Sequence, residues 1–179
     1  MLRTTWFVAA ATAAAAVLVS AAPASAAGPA WSAHALFARV SPYDPSGCLV
    51  LKLDVQATAT TLSADYWATD ECAHVDYAHF TGTTSLTPAQ VSLGSFATAS
   101  LTNATVDVTQ GGYFQQFTLN LTWTGSGEVT FSHPVGGPGV VARQTSASVA
   151  GTAADLVGNP LFSGSDVSDA EIAHVLYAG

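Results

Sequence analysis

Between Phe114 and Trp123 apolar and polar residues alternate: Phe117, Leu119, Leu121 and Trp123 fall on one side, and Gln116, Thr118, Asn120, Thr122 and Thr124 on the other. A period of two is the pattern of a strand with one dry and one wet face. Thr124-Gly-Ser-Gly127 ends the run with turn residues. Ahead of it, Ala104, Val106 and Val108 alternate with Thr105 and Asp107, and Gln110-Gly-Gly112 separates the two runs. Two alternating runs about a Gly-Gly pair predict a β-hairpin.

The same pattern recurs along the chain. Leu49, Leu51, Leu53, Val55 and Ala57 line one face of a run whose other face is Lys52, Asp54, Gln56 and Thr58. Further strands are predicted over 32–40, 62–70, 75–81 with Gly82 as its end, and 92–100 with a break or bulge near Asn103. A short strand over 128–132 and two strands, 140–150 and 152–157, about Gly151 complete the set before the tail. His133 to Gly139, with three glycines and two prolines, predicts an irregular loop. At the tail, Ser168-Asp-Ala-Glu171 matches a helix capping box, yet Ile172, His174 and Leu176 also fit a strand. The strand is preferred, because no other segment has a helical period. About ten short strands imply an all-β chain, an antiparallel β-sandwich of jelly-roll-like type, with an open barrel as the alternative.

The first 26 residues do not fit that pattern. Arg3, an apolar run from Trp6 to Val19 and small residues ending Ala24-Ser25-Ala26 have the form of a secretory signal peptide. Its apolar run is shorter than the roughly 20 residues of a spanning helix. The expectation is a secreted, extracellular protein with a single domain over 27–179 and no integral membrane segment once the leader is cut. Without the leader, Arg39, Lys52 and Arg143 stand against twelve acids, a formal net charge of −9. So few cations cannot neutralise many phosphates, which excludes nucleic acid as a partner.

Export makes a disulfide the expected state of the two cysteines, Cys48 and Cys72. Cys48 directly precedes one strand pattern, Cys72 follows another, and their midpoint is Thr60. They therefore bracket a hairpin in which 49–58 pairs with 62–70, and a bond between them closes its open end.

Taken together, Pro45-Ser-Gly-Cys48, the second cysteine at Cys72, Leu121-Thr-Trp-Thr-Gly-Ser-Gly127 and Arg143 leading into Ala150-Gly-Thr152 resemble a group of small secreted bacterial proteins of unestablished function. The resemblance covers most of the mature chain. It implies export and an all-β fold, and no activity, ligand or catalytic residue.

Three kinds of chemistry have candidate residues. A metal site would take His74 and Asp76, which share a face if both lie in a strand, with Asp65 across the hairpin as a third ligand. A sugar site would use aromatic platforms, for which Trp31, Tyr66 and Trp67 stand outside the clearest core pattern, while Trp123 reads as core. Hydrolysis would need a carboxylate pair, but twelve acids offer no way to choose one. No Gly-x-Ser-x-Gly, His-Glu-x-x-His, phosphate-loop or EF-hand spacing is present, so no catalytic residue and no cofactor is assigned. Arg39 and Arg143 are expected to pair with carboxylates at buried edges. Asn103-Ala-Thr105 and Asn120-Leu-Thr122 match the glycosylation sequon and are assigned no role. The reading is a secreted, non-catalytic module, extracellular or envelope-associated, with an extracellular glycan or protein as partner. A carbohydrate-binding module is the alternative, and an extracellular hydrolase or metal-binding protein a further one.

Overall fold

A computed structural model describes residues 30–41, 43–132, 140–163 and 167–177. The segment read as a signal peptide and the segment read as a Gly-Pro loop, 133–139, lie outside the described residues. Among the described residues there are eleven strands: β1 Ala30–Val40, β2 Leu49–Thr58, β3 Thr61–Asp70, β4 Val75–Ser85, β5 Val91–Leu93, β6 Thr98–Gln110, β7 Tyr113–Gly125, β8 Thr130–Ser132, β9 Val140–Asp155, β10 Pro160–Ser163 and β11 Val167–Tyr177. All pairings are antiparallel. The chain is all-β, as its alternation requires, and no helix among the described residues is long and apolar enough to cross a membrane.

The long strands form a circuit. From β1 the hydrogen-bonded neighbours run through β2, β3, β4, β6, β7, β9 and β11 and return to β1. Eight strands enclose an interior just wide enough for side chains to fill. The two walls of the sandwich meet across that interior. Tyr66 of β3 lies 5.3 Å from Phe117 of β7, and the Trp123 indole N–H of β7 donates to the His34 carbonyl of β1 at 2.8 Å. That bond satisfies the one polar atom of a fully buried tryptophan. Phe37, Leu53, Val55, Leu62, Val106, Phe117, Leu119 and Ile172 fill the same core. Outward positions carry Lys52, Asp54, Gln56, Gln116, Thr118, Asn120 and Thr122, so the outer wall is polar, the reverse of a lipid-facing barrel.

The local expectations meet this frame in different ways. The β6–β7 hairpin turns at Gly111 and Gly112, both at positive φ (57° and 89°), which a primed two-residue turn demands. The break expected near Asn103 is a register shift between Leu101 and Ala104, with Asn103 itself at φ 47°. The Asn120 side-chain carbonyl accepts the Asn103 N–H at 2.8 Å, so the two sequon asparagines hold the bulge. Cys48 and Cys72 form the expected disulfide, with their Cα atoms 5.3 Å apart, at the open end of the β2–β3 hairpin.

Two glycines read as strand ends do not end strands. β4 runs on through Gly82 to Ser85, and β9 passes Gly151 without interruption. A Cβ on Gly82 would stand 1.9 Å from the Asp107 carbonyl oxygen, and one on Gly151 would stand 2.0 Å from that of Asn120. Both glycines are bare because a neighbouring strand presses on them. The tail is a strand, and it inserts between β1 and β9 to close the circuit instead of adding to an edge.

Candidate binding surface

The outer faces of β1 to β4 carry the chemistry the sequence singled out, and strand register sorts it into rows. Lys52, Trp67 and His79 stand opposite one another on β2, β3 and β4. One step along, Asp54 of β2 faces Asp65 of β3. Like charges directly opposite repel, and each is answered by a histidine: His34 Nε2 lies 2.6 Å from Asp54 Oδ1, and His79 Nε2 lies 3.5 Å from Asp65 Oδ1. His79 also stacks on Trp67, with ring centroids 4.8 Å apart and planes 11° from parallel. That stack fixes one face of the indole.

Beside Trp67 is an open groove of 440 Å³ whose walls include Leu36, Asp54, Thr69, Glu71, His74 and Asp76. Lys52 bridges to Glu71, and the Thr69 hydroxyl donates to Asp76 at 2.8 Å. The groove therefore offers a flat apolar surface between carboxylates and one hydroxyl, that of Thr69.

The three metal candidates part company here. His74 is not in a strand: it closes the turn before β4 with φ 54°, so the strand alternation that aligned it with Asp76 does not apply. His74 and Asp76 both line the groove, while Asp65 sits in the next row against His79. Among the described residues, Cys48, Asp70 and Cys72 are the one set of His, Cys, Asp and Glu atoms close enough to share an ion, and its two sulfurs are bonded to each other.

The aromatic candidates also separate. Tyr66 is 7% exposed and packs on Phe80 and Phe117, in phase with Ala64. Burial pushes its phenol above the usual range, and the Arg39 guanidinium pulls against that shift. Trp31 is half-buried against Phe96, with centroids 4.7 Å apart. Trp67 is the one of the three that faces the groove. Glu71 stands among the acids and histidines around His74 that the sequence groups together, whereas Lys52, Asp54 and Thr69 escape the sequence reading because they come to the groove from neighbouring positions and strands. The signal that finds them is the pairing register, whose centre lies between Ala59 and Thr60; the midpoint of the cysteines, Thr60, misses it by half a residue and would set Lys52 opposite Ala68 instead of Trp67.

Arg39 and Arg143 make no ion pair among the described residues. Both sit in the inward phase of their strands, where the core supplies rings in place of acids. Arg39 lies 5.6 Å over the Phe162 ring, and Arg143 lies 5.2 Å from Phe96 and 5.4 Å from Phe131. Comparison of the chain with protein-family models, with curated proteins and with solved structures finds no match, so the site rests on its own geometry.

Proposed function

We propose that the protein is an exported, non-catalytic binding module and that the outer face of β1 to β4 takes a carbohydrate. The observation that carries this reading is Trp67, an indole held on one side by His79 and bordering an open groove. Sugars present an apolar ring face that stacks on such a platform, and a rim of hydroxyls that bond to carboxylates. Asp54, Thr69, Glu71 and Asp76 supply those partners at the groove wall. Export accords with the Cys48–Cys72 disulfide, which belongs in an oxidising compartment.

The test is a titration of the protein with cello-, chito- and xylo-oligosaccharides, followed by the indole N–H resonances. A binding sugar shifts the Trp67 signal and leaves the buried Trp123 signal in place. Trp67→Ala abolishes the shifts of neighbouring groove amides without altering the far-ultraviolet spectrum. Saturable sugar binding that survives Trp67→Ala sinks the assignment of the site. Absence of binding across the panel sinks the sugar.

A further inference from the structure

The circuit of strands has two ends, and each is plugged by an inward-facing arginine. At the end away from the disulfide, Arg143 is held by two rings, Phe96 and Phe131. At the disulfide end, Arg39 rests on a single ring, that of the buried Phe162. A cavity of 450 Å³ opens beside it, with Tyr43, Leu51, Pro160 and Leu161 as its apolar wall and Asn159 at its edge. That volume is within the range of about 300–1,000 Å³ typical of small-molecule sites, and the mouth of a closed sheet is a usual place for one.

Arg39 has hydrogen-bonding capacity left over. Its Nε is buried without an acceptor, and its Nη1 reaches the Pro160 carbonyl at 3.5 Å, beyond the range of a good bond. The Nη groups at the head of Arg39, held among the described residues only by that long bond, are the donors left for an acceptor arriving in the cavity. Asp155, also in the wall, does not supply it: its carboxylate accepts the N–H groups of Val157 and Asn159 and the Asn159 amide, all within its own turn.

Tyr43 lines the cavity itself, and the same end of the circuit is apolar more widely. Among the described residues nine large hydrophobic side chains are exposed, and eight of them belong to this end: Tyr43, Tyr113, Phe114, Leu156 and Val157 at the loop tips, with Val40, Val75 and Tyr77 beside them. Phe131 alone belongs to the other end, where it covers Arg143.

We infer that the Arg39 mouth is a second binding site, independent of the Trp67 groove, and that its ligand is a small monocarboxylate with an apolar body. A single guanidinium fork matches one carboxylate in bidentate geometry. A phosphate or a polyanion would call for more cations than this acidic chain provides. Tyr43, Leu51 and Leu161 contact the body of the ligand, and the head lies on Arg39.

The probes are octanoate and 3-phenylpropanoate, each against its neutral amide, with the arginine Nε–H resonances followed by nuclear magnetic resonance. Arg143, whose Nε is equally buried but which is held by two rings, is the internal reference. The acids shift the Arg39 signal saturably and leave that of Arg143 unmoved, while the amides bind at least about tenfold more weakly, as loss of a charge-assisted bond requires. Preference for one acid tells an alkyl from an aryl body. Tyr43→Ala, at a tip that is 91% exposed, weakens binding without touching the fold, and Arg39→Met removes it. Equal binding of acids and amides, equal shifts at both arginines, or no saturable shift overturns the inference.

Discussion

The two ends of the molecule solve one problem in different ways. Each must close an apolar interior, and each uses an arginine whose stem packs on the core while its charged head reaches outward. Arg143 lies against both Phe96 and Phe131, and Phe96 is itself packed on Trp31. Arg39 lies on Phe162 alone and opens onto a cavity, under loops tied by Cys48–Cys72 and tipped with exposed aromatics. The first arrangement is a finished plug. Both leave an Nε buried without an acceptor, and what sets the second apart is the cavity that opens beside its guanidinium.

The largest expected effect separates the ends by their covalent ties. Replacing both cysteines by alanine frees a loop with a sequence separation of 24 and costs about 3–4 kcal/mol by the chain-entropy estimate. Thermal unfolding measures that loss. Hydrogen exchange locates it: amides of 41–49 and 70–76 exchange faster, while those around Arg143 keep their protection. Uniform acceleration at both ends would mean that the disulfide serves the whole sandwich and not its own mouth.

A smaller effect compares the arginines directly. Arg143→Met gives up two cation–ring contacts, each worth roughly 0.5–1 kcal/mol, and destabilises by about 1–2 kcal/mol. Arg39→Met gives up one such contact and destabilises by about 0.5–1 kcal/mol, and because each variant removes one buried Nε without an acceptor, that term cancels between them. Denaturant midpoints of the two variants decide it. Equal losses would erase the distinction between plug and site.

The smallest effect is set by acid. Ser46, through its hydroxyl, and then the Leu49 N–H hold the Asp44 carboxyl below its ordinary range. Burial pushes Asp155 up, but the Asn159 side chain and the N–H groups of Asn159, Val157 and Gly158 outweigh it and the net shift is down. A carboxyl depressed in the folded state contributes stability above its unfolded value, near 3.9, and loses it as pH falls through the folded value. Loops 41–49 and 155–159 both frame the Arg39 cavity. Amide exchange there therefore rises below about pH 4 before it rises near Phe96 and Arg143, and Asp44→Asn abolishes that pH dependence for the first loop.

Much of the fold could be read from neighbouring residues. The β6–β7 hairpin, the bulge at Asn103, the β2–β3 hairpin and its disulfide all depend on patterns spanning fewer than thirty residues. Tyr66 is legible as core from Ala64 beside it. The readings that failed depend on partners far along the chain. Gly82 and Gly151 look like stops because a glycine in a strand pattern serves turns and close approaches alike, and only the facing carbonyls of Asp107 and Asn120 tell which. The strand predicted from Val75 stops short of His74, and a shared face with Asp76 required it to reach one residue further back, into a turn from Glu71 to His74 that contains no glycine or proline to announce it. The arginines were assigned to carboxylates on grounds of scarcity, whereas their phase in the strands points them at rings.

Alternation of period two is written into the chain because each side chain's direction follows from its immediate neighbours, and the cysteines are close enough to mark their own pairing. The rows on the outer wall, the placing of β11 between β1 and β9, and the meeting of Arg39 with Phe162 belong to the folded molecule alone. Each depends on the register between strands, where a slip of one residue turns every side chain to the opposite face. That register is settled by the packing of the whole interior at once, not by any single segment.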